Sequence, residues 1–180
     1  IVNEPIPIVS QSRILFNYNG EDISCFGEND GVAEVILSGG GVAPLTYKWT
    51  DASGTVVSTN QNTGPILSDG NYTITVIDFN LCEYDSTLTL TEPSPLVLNI
   101  TSSTNISCFN ACDGKIISQV TGGTNTAVAG YSYEWENPAG VMIGTDNSIN
   151  ELCNEGTYTL EVWDANGCQA TTPTISQLIT

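Results

Sequence analysis

The phrase ISCFGENDG at residues 23–31 returns as ISCFNACDG at 106–114, and it is the first of a series of motifs that occur twice in the same order. Cys25 aligns with Cys108, the Ser-Gly-Gly of 38–40 with the Thr-Gly-Gly of 121–123, and TYKW at 46–49 with SYEW at 132–135. GNYTITVID at 70–78 then matches GTYTLEVWD at 156–164, and Cys82 matches Cys168. From the cysteine to the first glycine of the pair is 14 residues in both copies, and from the tryptophan to the second cysteine is 33 in both. Only the segment between Gly-Gly and Trp differs, by three residues, as a surface loop does. EPIPIV at 4–9 and EPSPLV at 92–97 open the copies, and the Pro-rich stretch between them reads as a short, stiff joint. Self-similarity at this interval leaves a chain of two like domains, predicted at 1–91 and 92–180.

Each copy reads as strands. GVAEVILSGG, PLTYKWT, NYTITVID and STLTLTEP carry apolar residues at period two, broken by Gly, Asp and Asn, and no 3.6-residue stripe is present. About seven short strands per copy predict an all-β chain of two tandem immunoglobulin-like β-sandwiches. Tyr47 with Trp49, and Tyr133 with Trp135, place two aromatics on one face of the third strand, and the tryptophans are predicted to be buried. The Gly-x-Tyr of DGNY and EGTY stands where such sandwiches keep a tyrosine corner. DANGC at 164–168 has the Asn-Gly signature of a tight hairpin turn, and DFNLC at 78–82 takes its place in the first copy.

Composition excludes several classes of function. Twenty Asp and Glu stand against three cations, Arg13, Lys48 and Lys115, for a net charge of −17. Nucleic acid and anionic membrane surfaces both recruit clustered Lys and Arg, so neither is expected as a partner. With 40% hydrophobic residues in β-type runs, the acidity belongs to the surface of a folded chain. Six cysteines, no histidine and no Cys-x-x-Cys pair suit disulfides better than zinc, and so an oxidising compartment outside the cytoplasm. No apolar run approaches the roughly 20 residues that cross a bilayer, so no direct membrane insertion is expected. IVNEPIPIVS lacks the charged and apolar regions of a signal peptide, which reads as an excerpt of a longer exported protein.

The ordered set Cys-Phe-Gly-x-x-Asp-Gly, Ser-Gly-Gly, Tyr-x-Trp, Leu-x-x-Gly-x-Tyr-x-x-x-Val-x-Asp and Asn-Gly-Cys resembles the SprB repeat, found in very large cell-surface adhesins of gliding Bacteroidetes. The resemblance covers almost the whole chain, twice. It implies export by the type 9 secretion system and a place in a long filament that is moved along the cell to produce gliding. Its implied partners are adjacent repeats, the secretion and gliding machinery, and a substratum or surface polysaccharide reached by the full-length protein. The chain departs from the pattern at Asn110, which stands where Gly27 does, at DFNLC, which lacks the turn glycine, and at the extra Cys112 and Cys153. In the same group, Asp85-Ser86-Thr87 resembles an O-glycosylation motif with Ser86 as acceptor. Sequons for N-glycosylation stand at Asn71, Asn99 and Asn105 and matter only where the matching transferase exists.

No catalysis is expected. Histidine is absent, Lys48 lies on a strand beside Trp49, and SGGG at 38–41 is followed by Pro44 and a strand where a phosphate loop would open a helix. Glu28, Asp30 and Asp164 offer the hard oxygen ligands that calcium takes, against a reading as solvated turns in which Asp caps backbone amides; no other cofactor is expected. Trp163 falls out of phase with the inward Tyr158, Leu160 and Val162, so it either anchors a ligand or is covered by a neighbouring loop or domain. The first reading of function is therefore a structural filament segment; the second is a carbohydrate-binding module acting through Trp163.

The cysteines leave two schemes open. Cys112 and Cys153 replace Asn29 and Leu67, two positions at one end of a sandwich, and are predicted to pair within the second repeat. Pairing Cys25 with Cys82 and Cys108 with Cys168 would join the first loop to the last hairpin. In this topology those lie at opposite ends, roughly 25 Å apart along a strand at ~3.3 Å per residue, while bonded cysteines hold their Cα atoms within about 7 Å. The favoured scheme joins Cys25 to Cys168 between repeats and sends Cys82 and Cys108 to the preceding and following repeats.

Overall fold

The computed structural model describes residues 6–126, 130–170 and 175–180. The chain divides into two compact units, Ile1–Glu92 and Pro93–Thr180. Glu92 belongs with the first because its Oε2 accepts the Gly27 N–H at 2.7 Å. All regular structure among the described residues is strand.

In the first unit β1 (Val9–Ile14) pairs antiparallel with β2 (Ala33–Gly39). The facing sheet, in order, is β4 (Val56–Ser58), β3 (Thr46–Asp51), β5 (Gly70–Ile77) and β6 (Glu83–Leu90). An irregular segment completes the smaller sheet, with bridges Glu34 to Asn62 and Gly31 to Leu67. The Thr63 hydroxyl accepts the Ala33 N–H at 3.1 Å, which keeps a buried polar residue satisfied there.

The second unit repeats the plan with that segment as a strand. β7 (Val97–Thr104), β8 (Gly114–Thr121) and β11 (Ser148–Leu152) form one sheet, in the order β11-β8-β7. β10 (Met142–Gly144), β9 (Ser132–Glu136), β12 (Gly156–Trp163) and β13 (Ile175–Ile179) form the other. Three strands facing four is an immunoglobulin-like sandwich.

Period-two patterning builds both cores. Tyr72, Ile74 and Val76 on β5, and Tyr158, Leu160 and Val162 on β12, are buried against Trp49 and Trp135, each of which is fully enclosed. Both indole N–H groups donate to a main-chain oxygen at 2.9 Å, Trp49 to Asn60 and Trp135 to Asp146. Tyr72 and Tyr158 form the tyrosine corners, donating to Ser68 O at 3.1 Å and Asn154 O at 2.9 Å.

Two alignments made from sequence shift by one residue. A Cβ on Gly40 would stand 1.7 Å from Pro7 O, and one on Gly122 2.0 Å from Pro95 O, so Gly40-Gly41 corresponds to Gly122-Gly123. The offset arises at a β-bulge, where Val9 pairs with Gly39 and Ser10 with Leu37. Likewise Leu152, opposite Gly114, takes the buried place that Leu67 holds opposite Gly31. Cys153 is then the residue after the buried leucine, and it is exposed.

Deleting either indole would leave a cavity and take the donor from one main-chain oxygen, that of Asn60 or of Asp146. Trp49→Ala and Trp135→Ala are each expected to lower the stability of their own unit by about 3–5 kcal/mol in denaturant unfolding. An effect below about 1 kcal/mol would contradict the placement of the third strand.

Candidate functional site

Each sandwich has two ends, and the chemistry-bearing residues collect there. At one end lies the loop that carries the repeated cysteine phrase. Ile23 N–H donates to Thr91 O at 3.1 Å and Ile106 N–H to Thr180 O at 3.2 Å, which ties this loop to the last strand of each unit. Asp30 Oδ1 accepts the Ser24 N–H at 3.0 Å, and Asp113 Oδ1 accepts that of Ser107 at 2.9 Å. The Ser107 hydroxyl, then its amide, hold the Asp113 carboxyl below the usual carboxylate range against its desolvation. Gly27 (φ 79°) and Asn110 (φ 65°) occupy the same left-handed turn position, which explains the substitution, because asparagine tolerates that region better than most residues. Gly31 has no room for a side chain, since a Cβ would meet Leu90 Cδ2 at 2.4 Å. The motif is thus a folded loop closed by its own aspartate.

At the opposite end a second aspartate, not singled out from sequence in the first copy, organises the hairpin. Asp78 and Asp164 are buried. Asp78 accepts N–H bonds from Cys82 at 2.8 Å and Val42 at 3.0 Å; Asp164 accepts them from Thr124 at 2.7 Å and from Asn166 and Cys168 at 2.9 Å. Each carboxylate therefore joins two loops distant in sequence. The Cys82 amide, with that of Val42, holds the Asp78 carboxyl below the ordinary range although burial opposes it. The recurring Asp-x-x-x-Cys spacing is the sequence signal of this arrangement. The loop spans Asp to Cys, longer than a two-residue hairpin, with its fourth residue left-handed: Gly167 (φ 81°) in the second copy and Leu81 (φ 65°) in the first.

These bonds bear on the acidic residues proposed for calcium. Asp30 and Asp164 spend carboxylate oxygens on backbone amides, and Glu28 is exposed. The described residues hold no group of three or more His, Cys, Asp or Glu side chains disposed around a cation. Trp163 closes β12 half-buried on the outer face, its backbone bridged to Gln169. Ser86 is half-buried on β6, its hydroxyl 3.1 Å from that of Ser12, so a glycan there would have to displace that contact.

Cys112 and Cys153 form a disulfide with Cα atoms 3.9 Å apart at the loop end of the second unit. Cys82 and Cys108 are exposed free thiols. Cys25 lies in the loop between β1 and β2 at the end where Gly70 pairs with Leu90, whereas Cys82 follows the end where Ile77 pairs with Glu83. Eight residues of β5 separate those ends by roughly 25 Å, and β12 separates Cys108 from Cys168 in the same way. The pairing Cys25–Cys82 with Cys108–Cys168 is therefore not formed: its partners sit at opposite ends of one sandwich, and Cys82 and Cys108 remain reduced.

Residues 17–54 and 100–140 both match the family model of the SprB repeat. The two SprB repeat matches fall one in each sandwich and include both cysteine phrases. No curated protein matches the chain. Among solved structures, fibronectin(III)-like modules of Clostridium thermocellum CbhA align at 13% identity and a TM-score of 0.39, covering 94% of this chain and 93% of that one. A C-terminal fragment of intimin aligns at 13% identity and 0.45, covering 97% and 64%. An amphioxus IgVJ-C2 molecule aligns at 14% and 0.38, covering 94% and 96%. The chain is thus a tandem pair of like sandwiches, each similar over part of its length to the SprB repeat.

Because Asp78 and Asp113 have depressed folded-state pKa values, their contribution to stability is full above the unfolded value of about 3.9 and is lost as pH falls through the folded one. Melting temperature is expected to hold near neutrality and to drop below about pH 4. Asp78→Asn should melt lower at pH 7 and lose less on acidification than the parent. An acid profile identical in the two proteins would contradict the amide-held carboxylate.

Proposed function

We propose that this chain is a structural segment of a long secreted cell-surface adhesin filament used in gliding motility and attachment, exported by the type 9 system. The observation that carries the reading is the identity of plan between copies. Each SprB repeat match lies in a sandwich with the same buried Trp, the same tyrosine corner and the same aspartate at each end. Such modules supply length and stiffness, and substratum binding is spread along the filament or placed elsewhere in the full-length protein. An acidic surface keeps neighbouring filaments from associating.

Antibody against this segment, applied to intact cells that make the parent protein, is expected to label surface filaments that travel along gliding cells. Label that appears only after permeabilisation would overturn the reading. The carbohydrate-binding alternative draws on the half-buried Trp163. On a glycan array the filament reading predicts no reproducible binding that disappears in Trp163→Ala, and such binding would establish the alternative.

A further inference from the structure

The end of the second unit that carries the cysteine phrase gathers three cysteines: Cys112 bonded to Cys153, and Cys108 as an exposed free thiol. Only Phe109, Asn110 and Ala111 separate Cys108 from Cys112. The Ala111 N–H donates to Cys108 O at 2.9 Å, and this tight turn brings residue 108 back beside residue 112. Cys108 and Cys153 line one and the same cavity of about 570 Å³. Cys153 is exposed, whereas Cys112 is half-buried and does not line that cavity. The sulfur of the bond that is open to Cys108 is therefore that of Cys153.

The loop does not need this bond to fold. The first unit builds the same turn, with the Glu28 N–H on Cys25 O at 3.1 Å, while Asn29 stands in the place of Cys112 and Ser68 follows the buried Leu67 as Cys153 follows Leu152. In both units the loop is closed by other means. Asp30 holds the Ser24 N–H and Asp113 that of Ser107, and Gly31 pairs with Leu67 as Gly114 does with Leu152. A sulfur released from the bond leaves that frame standing.

We propose that Cys108, Cys112 and Cys153 form an intramolecular thiol–disulfide exchange site. The Cys108 thiolate attacks the Cys153 sulfur; the Cys108–Cys153 bond forms as the Cys112–Cys153 bond breaks. The Cys112 sulfur leaves as a thiolate and takes up the proton that Cys108 gave up, so the number of disulfides is unchanged and no outside oxidant or reductant takes part. The free thiol thus alternates between exposed Cys108 and half-buried Cys112, and the access of an outside thiol reagent to this end of the unit alternates with it. The site lies within the second unit and is independent of the filament reading.

For the test, the protein carrying Cys82→Ser is held at mildly alkaline pH, alkylated with N-ethylmaleimide and mapped without reduction. Label is expected on both Cys108 and Cys112, with Cys112–Cys153 and Cys108–Cys153 peptides present together. Adding Cys108→Ser should abolish the label on Cys112. A Cys112 that stays unlabelled in the first protein, or is labelled equally in both, would overturn the proposal. Cys112→Ser, oxidised with glutathione disulfide, should hold a Cys108–Cys153 bond, and two free thiols there would contradict it equally. Mixed with isotopically heavy protein, the exchanging form should give Cys108–Cys153 peptides within single chains; pairs of light with heavy at random frequency would show exchange between molecules and overturn the site.

Discussion

The buried carboxylates of Asp78 and Asp164 each accept backbone N–H groups from two loops that are about 40 residues apart in the chain. An ionised group in that position is tolerable only because amides surround it, and those amides are thereby fixed. In each unit the loop after the glycine pair and the hairpin after β5 or β12 become one rigid end. The aspartates of the cysteine phrase close the loop at the other end of each sandwich. Between them the strand that begins with the tyrosine corner and ends at the buried aspartate sets the distance from loop cysteine to hairpin cysteine.

Much of this was legible in the residues. Period-two patterning named the buried face of β12, and the Tyr-x-Trp and Gly-x-Tyr motifs named the buried Trp49 and Trp135 and the tyrosine corners at Tyr72 and Tyr158. Repetition identified the loop phrase without revealing why it recurs, because the reason is three-dimensional: Asp30 returns to Ser24, and Gly31 admits Leu90 and Ile23. The glycine pair was misplaced by one because a β-bulge adds a residue without any compositional mark. Cys153 was set against Leu67 for a similar reason, since a local irregularity in β11 brings Leu152 to the core instead. Leu81 in a glycine's conformation could not be read from propensity, because the hydrogen bonds of Asp78 hold it there.

The same geometry explains how a chain so acidic stays ordered. Its order resides in the two cores and the two aspartate-closed ends, and its surface is left to charge. The second repeat adds a cross-link of its own, Cys112 to Cys153, beside the Gly114–Leu152 pairing that matches the bridge between Gly31 and Leu67 in the first.

Backbone hydrogen exchange of the 180-residue protein at pH 7 tests the role of these aspartates most directly. The account predicts that the Val42 and Cys82 amides exchange slowly and are both released in Asp78→Asn, while the Thr124 and Cys168 amides of the other unit keep their protection. Release of only one of the two, or no change in either, would contradict it.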